Sequence, residues 1–159
     1  MDYPEKEKVR AFTGAARAAG EKLALTAFST PPVDPAALAK LREIEVVYLG
    51  LPDNVSGRGD LDEQEIYINS HTHPNRQRFT LAHELGHFVL GHKRRQWEDF
   101  LNETSGVPME QEADAFASGL LMPKALLKTF KDLPPKKLAQ LFKVSEAAMW
   151  VALDTNNLI

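Results

Sequence analysis

Apolar and polar positions repeat with different periods along the chain, and these periods predict its helices and strands. Helical spacing predicts a helix in "EKEKVRAFTGAARAAGEKLAL", broken or ended near Gly20, and a short helix in "PAALAKLREI". β-Branched and aromatic residues predict strands at "IEVVYLGL" and "EIYIN". Between them, "PDNVSGRGDLD" has the composition of turns with further strand pairing around them, and its Arg58-Gly59-Asp60 triplet is expected in a turn.

The second half of the chain is predicted to be helical. A long helix is expected over about residues 74–90, ended by Gly91, and another over about residues 108–122, ended by Pro123. The intervening residues 92–107 resemble a loop or a short helical insert. Two or three further helices are expected around "PKALLKTF", "PPKKLAQLF" and "SEAAMWVALDTN". The order of helix, small sheet and then helices predicts an α+β fold.

Composition narrows the class of protein. A chain of 159 residues has the length of one compact domain, or of one domain plus a small helical appendage, and it has no cysteine for disulfides or thiolate metal sites. The charged start "MDYPEKEKVR" is followed by no apolar run, and no stretch approaches the roughly 18 apolar residues of a membrane span. These features predict a cytoplasmic protein with no membrane association, and the net charge of -3 does not indicate a polyanion as partner.

The segment "AHELGH" carries the chemistry. His83 and His87 lie four residues apart, so on a helix both imidazoles project from one face and can reach a single cation. This is the H-E-x-x-H spacing of zinc peptidases, in which the intervening glutamate, here Glu84, acts as general base on a water activated by Zn²⁺. The surrounding positions are apolar, so two imidazoles at this place would be costly without a metal or hydrogen bonds.

The next histidine along the chain, His92, is nine residues from His83 and beyond Gly91, so it is not expected to be a ligand. The chain also does not continue as the three-histidine metzincin motif, H-E-x-x-H-x-x-G-x-x-H. Leu90 stands at the position of its glycine and Lys93 at the position of its third histidine. A zinc peptidase site therefore needs a third protein ligand from another segment.

The segment "MEQEADAFASGLLMP" offers three acids for that role: Glu110, Glu112 and Asp114. Periodicity does not choose among them. Glu110 lies nearer the centre of the apolar face, whereas Glu112 lies along a strip with small residues that would allow close approach to the first helix. Acids also favour the first turn of a helix because of its dipole, without any ligand role.

Together "EIYIN", "RQRFTLAHELGH" and "QEADAFASGLLMP" resemble the ImmA/IrrE family of zinc metallopeptidases over roughly residues 44–123. The resemblance implies a zincin-like core, with His83 and His87 as ligands, Glu84 as catalytic glutamate and Glu112 as third ligand. It also implies that "EIYIN" is a sheet edge on which an extended substrate peptide can lie. The expected domains are a metallopeptidase domain, residues 1–122, and a helical segment, residues 123–159.

The resemblance implies a partner as well: such enzymes act on helix-turn-helix repressors, often encoded nearby. The tail resembles the helix-turn-helix-like helices that follow the peptidase domain, with Ser145 as N-cap of the last helix and Lys143 at a turn position where glycine is common. No Lys or Arg follows Lys143, which argues against DNA binding by these helices. The tail is expected to pack or to dock a partner.

Weaker candidates complete the predicted site. His71, His73 and Tyr67 precede the metal helix and are candidates to line the cleft or to stabilise an oxyanion. Two other functions compete with the peptidase: a zinc-containing module that binds a repressor without cutting it, and a DNA-binding protein that uses its tail. An open coordination position would argue against the first, and salt-dependent binding to duplex DNA would support the second.

Overall fold

The computed structural model describes residues 11–92 and 107–159, and there it confirms the α+β fold. The elements are α1 (Thr13–Ala27), α2 (Pro35–Leu41), β1 (Glu45–Leu49), β2 (Gly57–Asp60), β3 (Glu65–Asn69), α3 (Pro74–Val89), α4 (Val107–Leu121), α5 (Lys124–Thr129), α6 (Pro135–Phe142) and α7 (Glu146–Thr155). The start of the first predicted helix and nearly all of the predicted insert at 92–107 lie outside the described residues.

The expected break of the first helix near Gly20 is wrong, because α1 continues to Ala27. Gly20 lies where α1 and α4 are closest: a Cβ at this position would be 2.2 Å from the backbone oxygen of Phe116. Gly119 on α4 is similarly close, 2.2 Å from the backbone oxygen of Arg17. The glycines therefore allow two helix backbones to pack at short distance, and tertiary packing outweighs the low helix propensity of glycine.

The sheet has the strand order β1-β3-β2. β1 pairs with β3 in parallel and β2 pairs with β3 antiparallel. The "EIYIN" segment is therefore the central strand, and its prediction as a sheet edge is wrong. Its neighbour β2 is an edge instead, because within the described residues this strand pairs with β3 alone.

The Arg58-Gly59-Asp60 triplet belongs to β2, so its prediction as a turn is wrong. Gly57 and Gly59 face α3: a Cβ at Gly57 would lie 2.6 Å from Cγ2 of Thr80. Glycine is rare in strands, but here it removes the side chains that would separate the strand from the helix. The reason for the error is that turn composition and close backbone approach both select glycine.

Helix α3, which carries His83 and His87, begins and ends as predicted. Pro74 is its first residue, and the ring nitrogen Nδ1 of His73 accepts a hydrogen bond from the backbone N–H of Asn75 at 3.0 Å. At the other end, Gly91 has a φ of +70°, the left-handed conformation that commonly ends helices. The following N–H, of His92, donates to the carbonyl of His87 at 3.0 Å, which folds the chain back under the last turn.

One hydrophobic cluster joins the sheet, α3, α4 and the tail. It contains Ile66 and Ile68 from β3, Leu81 and Leu85 from α3, and Phe116 from α4. The tail contributes Leu127, Leu138, Phe142, Met149 and Leu153 to the same cluster. The predicted domain boundary at residue 122 lies one residue beyond the end of α4. Buried side chains on both sides of this boundary belong to the same cluster. The division of the chain into two domains therefore stays a prediction.

The tail has three helices, as expected. Ser145 caps α7 by accepting a hydrogen bond from the N–H of Ala148 at 3.1 Å. Lys143 adopts the left-handed conformation, with φ 54°, at the turn position where glycine is common. The helices are confirmed, whereas their likeness to a helix-turn-helix, and the absence of DNA binding, stay predictions.

Candidate metal centre

Two imidazoles on α3 meet at their Nε2 atoms. His83 and His87 are one helical turn apart, and their Nε2 atoms are 3.2 Å from each other. The side chain of His87 is only 1% exposed and that of His83 is 14% exposed. The H-E-x-x-H spacing thus places both rings on the buried face of the helix, with two nitrogen donors directed at one point.

Glu110 on α4 supplies an oxygen donor to the same point. Its carboxylate oxygens lie 3.0 Å from Nε2 of His83 and 3.3 Å from Nε2 of His87. Donor atoms about 2.05 Å from a tetrahedral zinc ion are separated by about 3.3 Å. The three side chains therefore have both the donor types and the mutual spacing that suit a metal ion.

The expected third ligand, Glu112, does not join the histidine pair. Its Oε2 lies 3.6 Å from Nε2 of His92 instead. Residues two apart on a helix are about 200° apart around its axis, so Glu110 and Glu112 cannot both face α3. The rotation of α4 about its axis directs Glu110, the acid nearer the centre of the apolar face, to the histidine pair. The resemblance to the family implies Glu112 instead, so it does not by itself identify Glu110 as the ligand.

A second acid on α4 reaches His83 from its other side. Oδ1 of Asp114 lies 2.7 Å from Nδ1 of His83. A carboxylate at this position orients a metal-binding imidazole and leaves its Nε2 free to coordinate. From the sequence, Asp114 is a candidate only for the third ligand. Its spacing of four from Glu110, which puts both acids on one helix face, is the signal that identifies it.

His92 occupies an unexpected position. It is outside the group of donors, as its sequence position predicts, but its Nδ1 lies 2.9 Å from Nδ1 of His87. The chain reversal at Gly91 brings it there. Sequence spacing predicts contacts only within a continuous helix, and this contact is made after the helix ends.

Burial and carboxylates set the protonation of the centre. Burial lowers the pKa of His83, but the hydrogen bonds with Asp114 and Glu110 outweigh it and raise that pKa to about 10. Burial raises the pKa of Glu110, but its hydrogen bonds to His83 and His87 outweigh it and lower that pKa to about 2. Burial lowers the pKa of His87, against the effect of Glu110. In the metal-free protein, then, Glu110 is ionised and paired mainly with a protonated His83.

Glu84 lies on the same helix, between the two histidines, and is buried with 5% exposure. It is next to the edge strand: a Cβ at Gly59 would lie 3.0 Å from Oε2 of Glu84 and 3.2 Å from the ring of Phe88. Gly59 therefore allows β2 to pass directly over the carboxylate. This places β2, an edge strand among the described residues, beside the predicted general base.

The three weaker candidates have other partners. The hydroxyl of Tyr67 donates to the carboxylate of Glu65, which, with burial, raises the pKa of Tyr67. Tyr67 also alternates with the buried Ile66 and Ile68, so it faces away from the helices. His73 caps α3, and a Cβ at Gly50 would be 2.6 Å from Nε2 of His71. The described contacts do not bring any of the three to the histidine pair, and their catalytic roles stay predictions.

This chain is similar to known proteins in both sequence and fold. A peptidase family model, described as the IrrE N-terminal-like domain, matches residues 39–154. The radiation response metalloprotease IrrE of Deinococcus deserti is 39% identical over 75 residues, which cover 45% of this chain and 27% of that protein. The protein of the same name from Deinococcus radiodurans is 34% identical over 104 residues, 61% of this chain and 32% of that protein.

A solved structure, described as a Mycobacterium tuberculosis transcriptional regulator, shares the fold with a TM-score of 0.70 at 22% identity, over 90% of this chain and 47% of that chain. The chain spans about a third or less of the length of the IrrE relatives.

Among the described residues, no helix combines the length and apolar character needed to cross a membrane. With most of its length matched by the family model and the histidine–glutamate group in place, the chain belongs to the ImmA/IrrE family of metallopeptidases.

Proposed function

We propose that this protein is a zinc-dependent endopeptidase, with His83, His87 and Glu110 as ligands and Glu84 as general base. The observation that supports this most directly is the convergence of two Nε2 atoms and one carboxylate beside Glu84. Two imidazoles and one carboxylate are a donor set of catalytic zinc sites, which leave one position for water or substrate. Structural zinc sites, in contrast, are closed by four protein ligands.

A bound zinc ion supplies Lewis acidity, lowering the pKa of a water molecule to about 7 and polarising a peptide carbonyl. Glu84 accepts the proton of the attacking water and delivers it to the leaving amine nitrogen. Asp114 holds the ring of His83 in place through Nδ1. Because Glu84 is buried under β2, this proton transfer is screened from bulk water.

The substrate is proposed to bind as an added strand at the edge of β2. Among the described residues this strand pairs with β3 alone, which is the edge geometry that strand addition by an extended peptide uses. Gly59 sets the distance between that edge and Glu84. The proposed substrate-binding edge is therefore β2, and not β3 as predicted from the sequence. The proposed mode of binding, strand addition, is the same.

The substrate class is proposed to be a helix-turn-helix repressor in the cytoplasm, encoded near this protein. The resemblance to the ImmA/IrrE family supports this substrate class, and the lack of cysteine suits a reducing compartment such as the cytoplasm. The competing function is a zinc-containing module that binds the same repressor without cutting it. Among the described residues the metal-binding group has three members, which favours the peptidase.

The test combines elemental analysis with incubation of the neighbouring-gene repressor. We expect wild type to hold about one zinc and to cleave, Glu84→Gln to hold zinc without cleaving, and Glu110→Ala to hold none. Glu63→Gln, on an exposed turn, is the matched control and should behave as wild type. Zinc binding without cleavage in wild type would favour the binding module, and absence of zinc after loading would refute the metal centre.

A further inference from the structure

His92 and Glu112 form a chain of contacts behind His87. Nε2 of His87 faces the metal-binding group, and its other ring nitrogen, Nδ1, lies 2.9 Å from Nδ1 of His92. Nε2 of His92 in turn lies 3.6 Å from Oε2 of Glu112. We infer that His92 and Glu112 are positioning residues that hold His87 in the ring orientation and tautomer required of a metal ligand. This inference rests on the proposed function.

Proton accounting determines the direction of the chain. A histidine that coordinates through Nε2 has no proton there, so neutral His87 carries its proton on Nδ1. That N–H must donate to Nδ1 of His92, at 2.9 Å, so this atom of His92 carries no proton. The proton of neutral His92 is then on Nε2, the nitrogen that faces the carboxylate of Glu112. The carboxylate favours this tautomer electrostatically across 3.6 Å, a distance longer than a hydrogen bond.

The backbone brings His92 to this position. Gly91 is left-handed, with φ +70°, and the N–H of His92 donates to the carbonyl of His87 at 3.0 Å. This bond, from the second residue after the C-cap Leu90 back to the last turn of the helix, is that of a Schellman motif. One residue, His87, is therefore contacted by His92 through both backbone and ring. The side chain of His92 is itself buried, with 9% exposure, which limits its alternative orientations.

The two ligand histidines are consequently supported in different ways. His83 is contacted at Nδ1 by a carboxylate, that of Asp114, at 2.7 Å. His87 is contacted by a neutral imidazole, with the carboxylate of Glu112 one residue further away. Both acids come from α4, the helix that also carries Glu110. Helix α4 therefore supplies one proposed metal donor, Glu110, and one supporting carboxylate for each imidazole, Asp114 and Glu112. These three roles account for the three closely spaced acids on this helix.

The first test is the tautomer itself in the zinc-loaded wild-type protein. Long-range ¹H–¹⁵N NMR correlations distinguish a proton on Nδ1 from one on Nε2. We expect His92 to be neutral with its proton on Nε2, and His87 to carry its proton on Nδ1. Observation of the opposite tautomer of His92 would overturn the inference, and this readout depends on no variant's ability to fold.

The second test measures zinc affinity by chelator competition, together with kcat and KM for repressor cleavage. His92→Leu removes the acceptor, and we expect zinc affinity to fall about 10- to 100-fold. His92→Asn, whose side-chain oxygen can replace Nδ1 as acceptor, should restore most of that loss. Glu112→Gln should weaken zinc binding less than His92→Leu, and it should add little in the double variant, because both act on the same ring.

Each outcome has a separate meaning. Equal zinc affinity in His92→Leu and wild type, or equal weakening by Leu and Asn, overturns the positioning role and leaves the peptidase proposal intact. Complete loss of zinc in Glu112→Gln overturns it as well, since Glu112 would then be a ligand. Failure of wild type itself to bind zinc refutes the proposed function and this inference together. Glu63→Gln is again the control for removal of a carboxylate charge.

Discussion

Oδ1 of Asp114 lies 2.7 Å from Nδ1 of His83, at the ring nitrogen that does not face Glu110. Asp114 and Glu110 are four residues apart on α4, so one helix face supplies both contacts to the same imidazole. The orientation of His83 therefore depends on α4 as much as on its own helix.

Asp114→Asn should weaken zinc binding without abolishing it. The amide keeps the approximate shape but removes the negative charge that supports His83, so we expect affinity to fall about 10- to 100-fold. Chelator competition measures this loss. Asp154→Asn, at an exposed position on α7, is the control and should leave affinity unchanged. If Asp114→Asn held zinc as tightly as the control, the contact with His83 would have no role in metal binding.

Gly59→Ala should reduce catalysis while zinc remains bound. The added methyl group would lie 3.0 Å from Oε2 of Glu84 and 3.2 Å from the ring of Phe88, so strand or carboxylate must move. A small displacement of a general base slows proton transfer from the attacking water, so we expect kcat to fall about tenfold or more. The measurements are repressor cleavage and zinc content. Full activity in Gly59→Ala would show that the position of β2 is not critical for Glu84.

Gly20→Ala should destabilise the fold. A Cβ at this position would be 2.2 Å from a backbone oxygen of α4, so α1 and α4 must separate, at a cost of about 1–3 kcal/mol. Urea denaturation measures the change in the free energy of unfolding. Gly14→Ala is the matched control on the same helix, because a Cβ there has no neighbour within 4 Å. Equal stability of the two variants would contradict the close packing described above.

The stability of the metal-free protein should depend on pH through His83 and Glu110. The pKa of His83 is raised from 6.5 to about 10, so its contribution is complete below 6.5 and is lost as pH rises toward 10. The pKa of Glu110 is lowered from 4.5 to about 2, so its contribution is complete above 4.5 and is lost as pH falls toward 2. The pair therefore stabilises the metal-free protein most between pH 4.5 and 6.5.

The measurement is the Tm of thermal unfolding in the presence of chelator at pH 3, 5.5 and 9. The middle value lies within the window from pH 4.5 to 6.5, and the other two lie on either side of it. The difference in Tm between wild type and Glu110→Gln should be greatest at pH 5.5 and smaller at both other values. A difference that does not vary with pH would mean that Glu110 acts through packing and not through its charge.

Much of the secondary structure followed from local pattern. The start of α3 at Pro74 and its end before Gly91 were predicted, because proline and glycine restrict backbone conformation wherever they occur. Ser145 was predicted as a cap for the same local reason. The errors at Gly20 and Arg58–Asp60 have a common origin: a glycine that permits close packing looks the same in sequence as one that breaks a helix or forms a turn.

The sequence by itself determined the two imidazoles and the glutamate between them, since a spacing of four on one helix requires no other segment to bring His83 and His87 together. Only the tertiary structure decided that Glu110 faces this pair, that Glu112 faces His92, and that β2 is the strand beside Glu84. The physical reason is that the rotation of α4 against α3, and the order of strands in the sheet, arise from packing between distant segments. Local periodicity contains no information about either.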